Sequence, residues 1–170
     1  MRFLCAPDRM RQALGRIRQG LRRCAGLESN GFEAETLLAD LDGIESSMDR
    51  YMEFIEHAPQ GFFVDSPDNK PLYVNDALAK MFGYDSPEDL RARMTDIREH
   101  WADPEDIAKG EEKLRALGSI PQHEVRMLRA DGTPFWTLVS LRRTADGEGE
   151  GTWLDITARN MARPRLADGE

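Results

Sequence analysis

The spacing of apolar residues changes abruptly at Ala58-Pro59, and no single class of secondary structure accommodates both sides of that break. Before it, apolar residues recur at alternating intervals of four and three, which is the pattern of a helix with one covered seam. Met10, Leu14, Ile17, Leu21 and Cys24 form one such stripe, and Leu37, Leu41, Ile44, Met48, Tyr51 and Ile55 form another. Pro7 suits a first helical position. Gly15 and Gly20 weaken the first helix by about 1 kcal/mol each relative to Ala. The pattern breaks around Ala25-Gly26 and Asn30-Gly31, after which Asn30 suits an N-cap and Glu33 its capping-box partner. The two stripes are one residue out of phase, which disfavours a single continuous coiled coil. A helical hairpin, or two helices pairing with a second subunit, accommodates the slip. So few heptads are weak alone, and the stripe from Leu37 to Ile55 is therefore read as a homodimer seam.

Charge divides the same region. Arg2, Arg9, Arg11, Arg16, Arg18, Arg22 and Arg23 face only Asp8 in the first stretch. Glu28, Glu33, Glu35, Asp40, Asp42, Glu45, Asp49, Glu53 and Glu56 then face only Arg50. A basic arm for a membrane surface or nucleic acid is one reading. A solvated helix that meets the acidic one, in the same molecule or a partner, is preferred, because an apolar stripe and not aromatic residues interrupts the arginines. The net charge of −8 argues against nucleic acid as a partner of the whole chain. No apolar run approaches the roughly 20 residues that span a bilayer. Met1 to Cys5 is too short for a signal-peptide core, and Cys5 and Cys24 are too few for a disulfide framework, so a reducing cytoplasm is expected.

After the break, turn signals come every few residues. Ala58, preceding proline, ends the helix. Gly61-Phe62-Phe63-Val64-Asp65 and Leu72-Tyr73-Val74 read as strands around a turn containing Pro67, Asp68 and Asn69. Asn75 can cap a short helix running to Phe82 and closed by Gly83. Ser86-Pro87-Glu88-Asp89 and Asp103-Pro104-Glu105-Asp106 are two further helix starts, and the second opens a longer helix ended by Gly118. Residues 122–130 and 133–144 read as strands flanking Asp131-Gly132, a strong hairpin signal. A looser turn holds Gly147, Gly149 and Gly151, and residues 152–156 form the closing strand. The sum is an α+β fold: a five-stranded antiparallel sheet with short helices on one side, preceded by an α-helical extension, hairpin or coiled coil.

Six short segments, in order, carry a resemblance. They are Ala58-Pro59-Gln60-Gly61-Phe62, Tyr73-Val74-Asn75, Phe82-Gly83-Tyr84, Ser86-Pro87-Glu88-Asp89-Leu90, Arg129-Ala130-Asp131-Gly132-Thr133 with Trp136, and Asp155-Ile156-Thr157. Residues 58–157 resemble a bacterial PAS domain of the S-box type. The resemblance implies the PAS fold, a sensory or interaction role in signal transduction, and an output partner of the histidine kinase or diguanylate cyclase type, as in two-component systems. It also implies that Asp155, Ile156 and Thr157 form a junction that hands a signal to a following helix, which Asp155 or Thr157 can cap at Ala158. The organisation is then a basic amphipathic helix (1–29), an acidic heptad helix (30–57), the PAS domain (58–157) and a C-terminal tail (158–170). No output domain follows in this sequence, so the chain either stands alone or is a fragment.

The chemistry-bearing residues are few. His57, His100 and His123 are the only histidines, and none lies on the long helix where PAS haem sensors carry their ligand. No cysteine lies within 58–157, which excludes the cysteine-based flavin photochemistry of some relatives. No cofactor and no metal is expected, no nucleophile-and-base pattern points to an enzyme, and the purified protein should be colourless. A small-molecule cavity between sheet and helices would be lined by Phe62, Val64, Leu78, Met81, Phe82, Met94, Ile97, Ile107, Leu114, Val125, Met127, Trp136, Leu138 and Val139. The preferred alternative is that these residues simply fill the core. His123, Glu124 and Arg126 could add polar contacts but should point to solvent. Two functions follow: a sensory domain controlling an output partner, or a stand-alone protein–protein adaptor with no ligand.

Overall fold

Two helices precede the sheet in the computed structural model, α1 (Pro7–Ala25) and α2 (Gly31–Glu56). Residues 7–25 and 31–162 are described, with side chains over 11–23 and 35–162. The capping box at Asn30 and Glu33, the side chains of Met10 and Cys24, and the tail from Pro164 to Glu170 lie outside these residues.

The chain divides into two units between Glu56 and His57. Within the first, α1 packs against α2. Arg11 pairs with Asp49 at 2.9 Å, and Arg18 pairs with Asp42 and, at 2.6 Å, with Glu45. Partner numbers fall as α1 numbers rise, so the helices run antiparallel. The basic and acidic helices thus meet in one molecule. Each such exposed pair contributes at most about 1 kcal/mol. Leu14 and Leu41 are buried, and Met48 and Ile55 are half-buried. Leu37, Ile44 and Tyr51, seven residues apart, remain exposed.

The second unit contains β1 (Gly61–Asp65), β2 (Pro71–Val74), α3 (Asp76–Met81), α4 (Pro87–Arg93), a 3-10 turn (Ile97–His100), α5 (Pro104–Leu117), β3 (Ser119–Leu128), β4 (Pro134–Arg143), β5 (Gly149–Asp155) and α6 (Thr157–Ala162). The strands form one sheet in the order β2-β1-β5-β4-β3, with every neighbouring pair antiparallel.

Local chemistry sets most boundaries. Ser86 and Asp103 cap α4 and α5, each followed by proline at the first turn, and Gly118 ends α5 in the left-handed region at φ 69°. Buried Asn75 caps α3 by accepting from the Leu78 N–H at 3.1 Å. It also accepts from the Phe62 N–H and donates to the Gln60 carbonyl, both at 2.9 Å, which ties α3 to the start of β1.

Two strands are longer than the sequence pattern suggests. β3 starts at Ser119 and not 122, because the pairing with β4 slips between Ile120 and His123. Pro121 falls in that slip, where it forfeits no ladder bond. β5 starts at Gly149 and not 152, so Gly149 and Gly151 are strand residues. A Cβ on Gly151 would collide with the Ser140 carbonyl oxygen of β4.

Alternation along the strands gives the sheet two faces. Phe63, Val74, Val125, Met127, Phe135, Val139 and Trp153 join Leu78, Ala79, Met81, Phe82, Tyr84, Leu90 and Met94 in one core. Phe82 sits at its centre, edge-on to Phe135 at 5.3 Å and to Trp153 at 5.7 Å. Phe62, Val64, Trp136 and Leu138 alternate with core residues and lie on the opposite face.

Candidate functional site

The core does not close completely. A cavity of about 80 Å³ lies between the inner sheet face, the 3-10 turn and α5. Its apolar wall comes from Phe63, Trp101, Trp153, Ile97, Ile107, Leu114, Ile120, Val139 and Leu141, and its polar rim from Asp65, Asn69, Arg98, Glu111 and Arg143. Gly110 of α5 lets that helix approach Trp101, since a Cβ there would lie 3.3 Å from the indole. A second space of about 10 Å³ touches Leu78, Phe82, Leu90 and Met94 and holds at most one water.

Asp65 ends β1 where its pairing with β2 slips. The side chain lines the cavity, the residue is 8% exposed, and its carboxyl makes no hydrogen bond among the described residues. Burial pushes this carboxyl up to about 7; Arg143 opposes the rise and Asp96 adds to it. The nearby cations are engaged elsewhere. Arg143 donates to the Gly147 carbonyl at 3.0 Å and to Asn69 Oδ1 at 2.8 Å. Arg98 is bidentate on Asp96 and lies 3.5 Å from Glu111.

The residues proposed from sequence as cavity lining separate into three groups. Ile97, Ile107, Leu114 and Val139 line the 80 Å³ cavity, and Leu78, Phe82 and Met94 line the smaller space. Met81, Val125 and Met127 are packed in the core. Phe62, Val64, Trp136 and Leu138 lie on the far face of the sheet. His123, Glu124 and Arg126 do not line the cavity, and Glu124 pairs with Arg159 at 2.5 Å. The polar rim was not legible locally. Asp65 reads as an ordinary strand end, and Trp153 as an ordinary residue of the closing strand.

His100 is held on both nitrogens, by the Leu128 carbonyl at 2.8 Å and the Tyr84 hydroxyl at 3.1 Å. Those contacts give it a structural task beside Phe82. Among the described residues, no group of three or more His, Cys, Asp or Glu could hold a metal ion, and no helix is long and apolar enough to cross a membrane.

At the other end of the sheet, Asp155, Ile156 and Thr157 connect β5 to α6. Ile156 is buried and donates its N–H to the Trp136 carbonyl at 2.8 Å. Asp155 accepts from the Thr157 N–H at 2.8 Å. The Thr157 hydroxyl accepts from the Trp136 N–H at 2.9 Å, so it serves β4 and α6 already begins at Thr157. Arg129 joins this junction to the core: it pairs with Asp155 at 2.8 Å, donates to the Met81 carbonyl and lies 4.2 Å over the Phe135 ring. Partial burial raises the Asp155 carboxyl, but the hydrogen bonds from Thr157 and Arg129 outweigh it and hold the group below the usual range.

A sheet ordered β2-β1-β5-β4-β3, with helices over one face, agrees with a sequence comparison in which the PAS domain family model matches residues 59–158. The chain belongs to the PAS domain family. Solved PAS structures share the fold. A domain of a sensory box sensor histidine kinase/response regulator from Geobacter sulfurreducens is 21% identical, with a TM-score of 0.52 over 66% of this chain and 96% of that one. A PAS domain from a two-component sensor histidine kinase is 22% identical, with a TM-score of 0.53 over 67% and 98%. A PAS domain of a LuxR-family transcriptional regulator from Burkholderia thailandensis, solved in complex with ethanol, is 24% identical, with a TM-score of 0.52 over 62% and 96%. A comparison with curated protein sequences finds no match. In this PAS domain the helical pair α1–α2 precedes the matched segment, and Asp155, Ile156 and Thr157 fall within its end.

Proposed function

We propose that this PAS domain is a sensory module that binds a small molecule in the cavity beside α5 and relays its occupancy through Asp155, Ile156 and Thr157. The carrying observation is the cavity itself: apolar walls, room for about five waters, and one buried carboxyl left without a hydrogen bond. The Burkholderia relative holds ethanol, a ligand of suitable size, and two other relatives belong to sensor histidine kinases. A kinase or diguanylate cyclase is the corresponding output, and the role is regulatory and not catalytic, in the cytoplasm. Output through a homodimer is supported by the exposed stripe of Leu37, Ile44 and Tyr51 on α2, whose seven-residue spacing suits a second copy of the same helix. That stripe also favours the second reading, an adaptor that senses nothing.

Titration with ethanol, propanol and butanol separates the two readings, because Trp101 and Trp153 border the cavity and report by fluorescence. A saturable change is expected. A change that stays linear in alcohol concentration, with the dimer intact, supports the adaptor and contradicts sensing.

A further inference from the structure

Four charged side chains border the cavity: Asp65, Arg98, Glu111 and Arg143. Three have partners already. Arg98 holds Asp96 and Glu111, while Arg143 holds Asn69 and the Gly147 carbonyl. Asp65 alone of the four has neither an ion pair within 4 Å nor a hydrogen bond among the described residues, although the residue is only 8% exposed. A buried carboxylate without donors is unstable, and an ionised one can only accept. An anionic ligand would have to displace Asp96 from Arg98 and would repel Asp65. A ligand that brings donors and positive charge is opposed by Arg143 alone, since Asp96 and Glu111 offset Arg98, and Asp65 attracts it once ionised; its apolar body can rest on Trp153, Val139, Leu141 and Leu114.

We propose that Asp65 is the recognition group for a small primary ammonium ligand with an aliphatic body of about four carbons, the size set by the cavity; this rests on the cavity being the ligand site. The groups facing Asp65 are Arg143 on β4, Asp96 and Arg98 at the 3-10 turn, and Glu111 on α5; β5 contributes Gly149 and Trp153, which carry no charge. Burial keeps Asp65 protonated up to about pH 7, so an ammonium ion must displace a proton below that value. Affinity therefore rises with pH, by about 30-fold between pH 5.5 and 8 for a carboxyl titrating near 7.

Calorimetric titration of the whole chain with n-butylammonium chloride, n-butanol and sodium butyrate, at both pH values, tests this. The expected result is saturable ammonium binding at pH 8 that weakens about 30-fold at pH 5.5, with butanol indifferent to pH. Asp65→Asn should abolish the preference for ammonium over butanol. If that variant fails to fold, the pH dependence of the wild type decides alone. Butanol binding without ammonium binding, tighter binding of butyrate, or ammonium affinity independent of pH overturns the ligand class and leaves the sensory reading standing. Failure of all three compounds to bind overturns both.

Discussion

Replacing Arg129 by Met, Asp155 by Asn, and both together dissects the connection between the core and α6. Arg129 makes one ion pair with Asp155 at 2.8 Å, both side chains being about one third exposed or less. It also donates to the Met81 carbonyl and covers the Phe135 ring. A partly exposed pair contributes about 0.5–1 kcal/mol and a cation over a ring about the same. Loss of the Met81 contact adds about 1 kcal/mol. Arg129→Met should therefore cost about 2–3 kcal/mol, and Asp155→Asn about 1 kcal/mol, because Asn keeps an acceptor for the Thr157 N–H. The double variant should fall short of the sum by the pair energy, about 0.5–1 kcal/mol. Urea unfolding gives the three values, and hydrogen exchange should accelerate at Thr157–Ala162 in each variant while β3 and β4 stay protected. Strict additivity, with exchange at α6 unchanged, would refute the idea that this ion pair links core and junction. The pH dependence has a fixed sign. The Asp155 carboxyl titrates below its ordinary value, so its contribution is present above about pH 4 and is lost as pH falls through the folded value.

Three further outcomes are expected. Ile44→Asp places a charge in the exposed α2 stripe and should convert a dimer to a monomer by light scattering; a wild type that is monomeric at high concentration removes the dimer from the proposal. Asp65 behaves oppositely to Asp155: its raised titration favours the folded state at low pH, and that advantage fades as pH rises from about 4 to about 7. Asp65→Asn should thus flatten the decline and raise stability at pH 8 by no more than about 4 kcal/mol, whereas an unchanged pH profile would show that Asp65 is not buried in solution. Gly151→Ala drives a methyl group into the Ser140 carbonyl and should lower thermal stability far more than Gly147→Ala, whose Cβ meets only Pro67 at 3.5 Å, despite the positive φ at Gly147.

Much of the fold was legible because its signals are local. Asn75, Ser86 and Asp103 announce helix starts through their own side-chain chemistry, Gly118 announces an end, and Asp131-Gly132 announces a hairpin. The errors arise where a neighbour decides. Gly149 and Gly151 read as turn residues, yet they are strand residues because β4 approaches so closely. The strand expected from 122 begins at Ser119, with Pro121 in a slip of the ladder. Ile107, Leu114 and Val139 line the cavity. Apolar alternation along a strand does not say which sheet face the helices cover, and Phe62, Val64, Trp136 and Leu138 lie on the face away from the cavity. Nothing near Asp65 in the sequence marks it as buried, because distant segments around Ile97, Arg143 and Gly149 enclose it.

The most direct test is a two-dimensional amide NMR titration of the whole chain with n-butylammonium and n-butanol at pH 8. It reads the cavity and the junction in one spectrum. Saturable shifts are expected at the indole N–H groups of Trp101 and Trp153 and at Gly110, accompanied at the same ligand concentrations by shifts at Asp155, Ile156 and Thr157. Saturable shifts at the cavity with a silent junction, or shifts at neither, would contradict a sensor that passes occupancy from the cavity to α6.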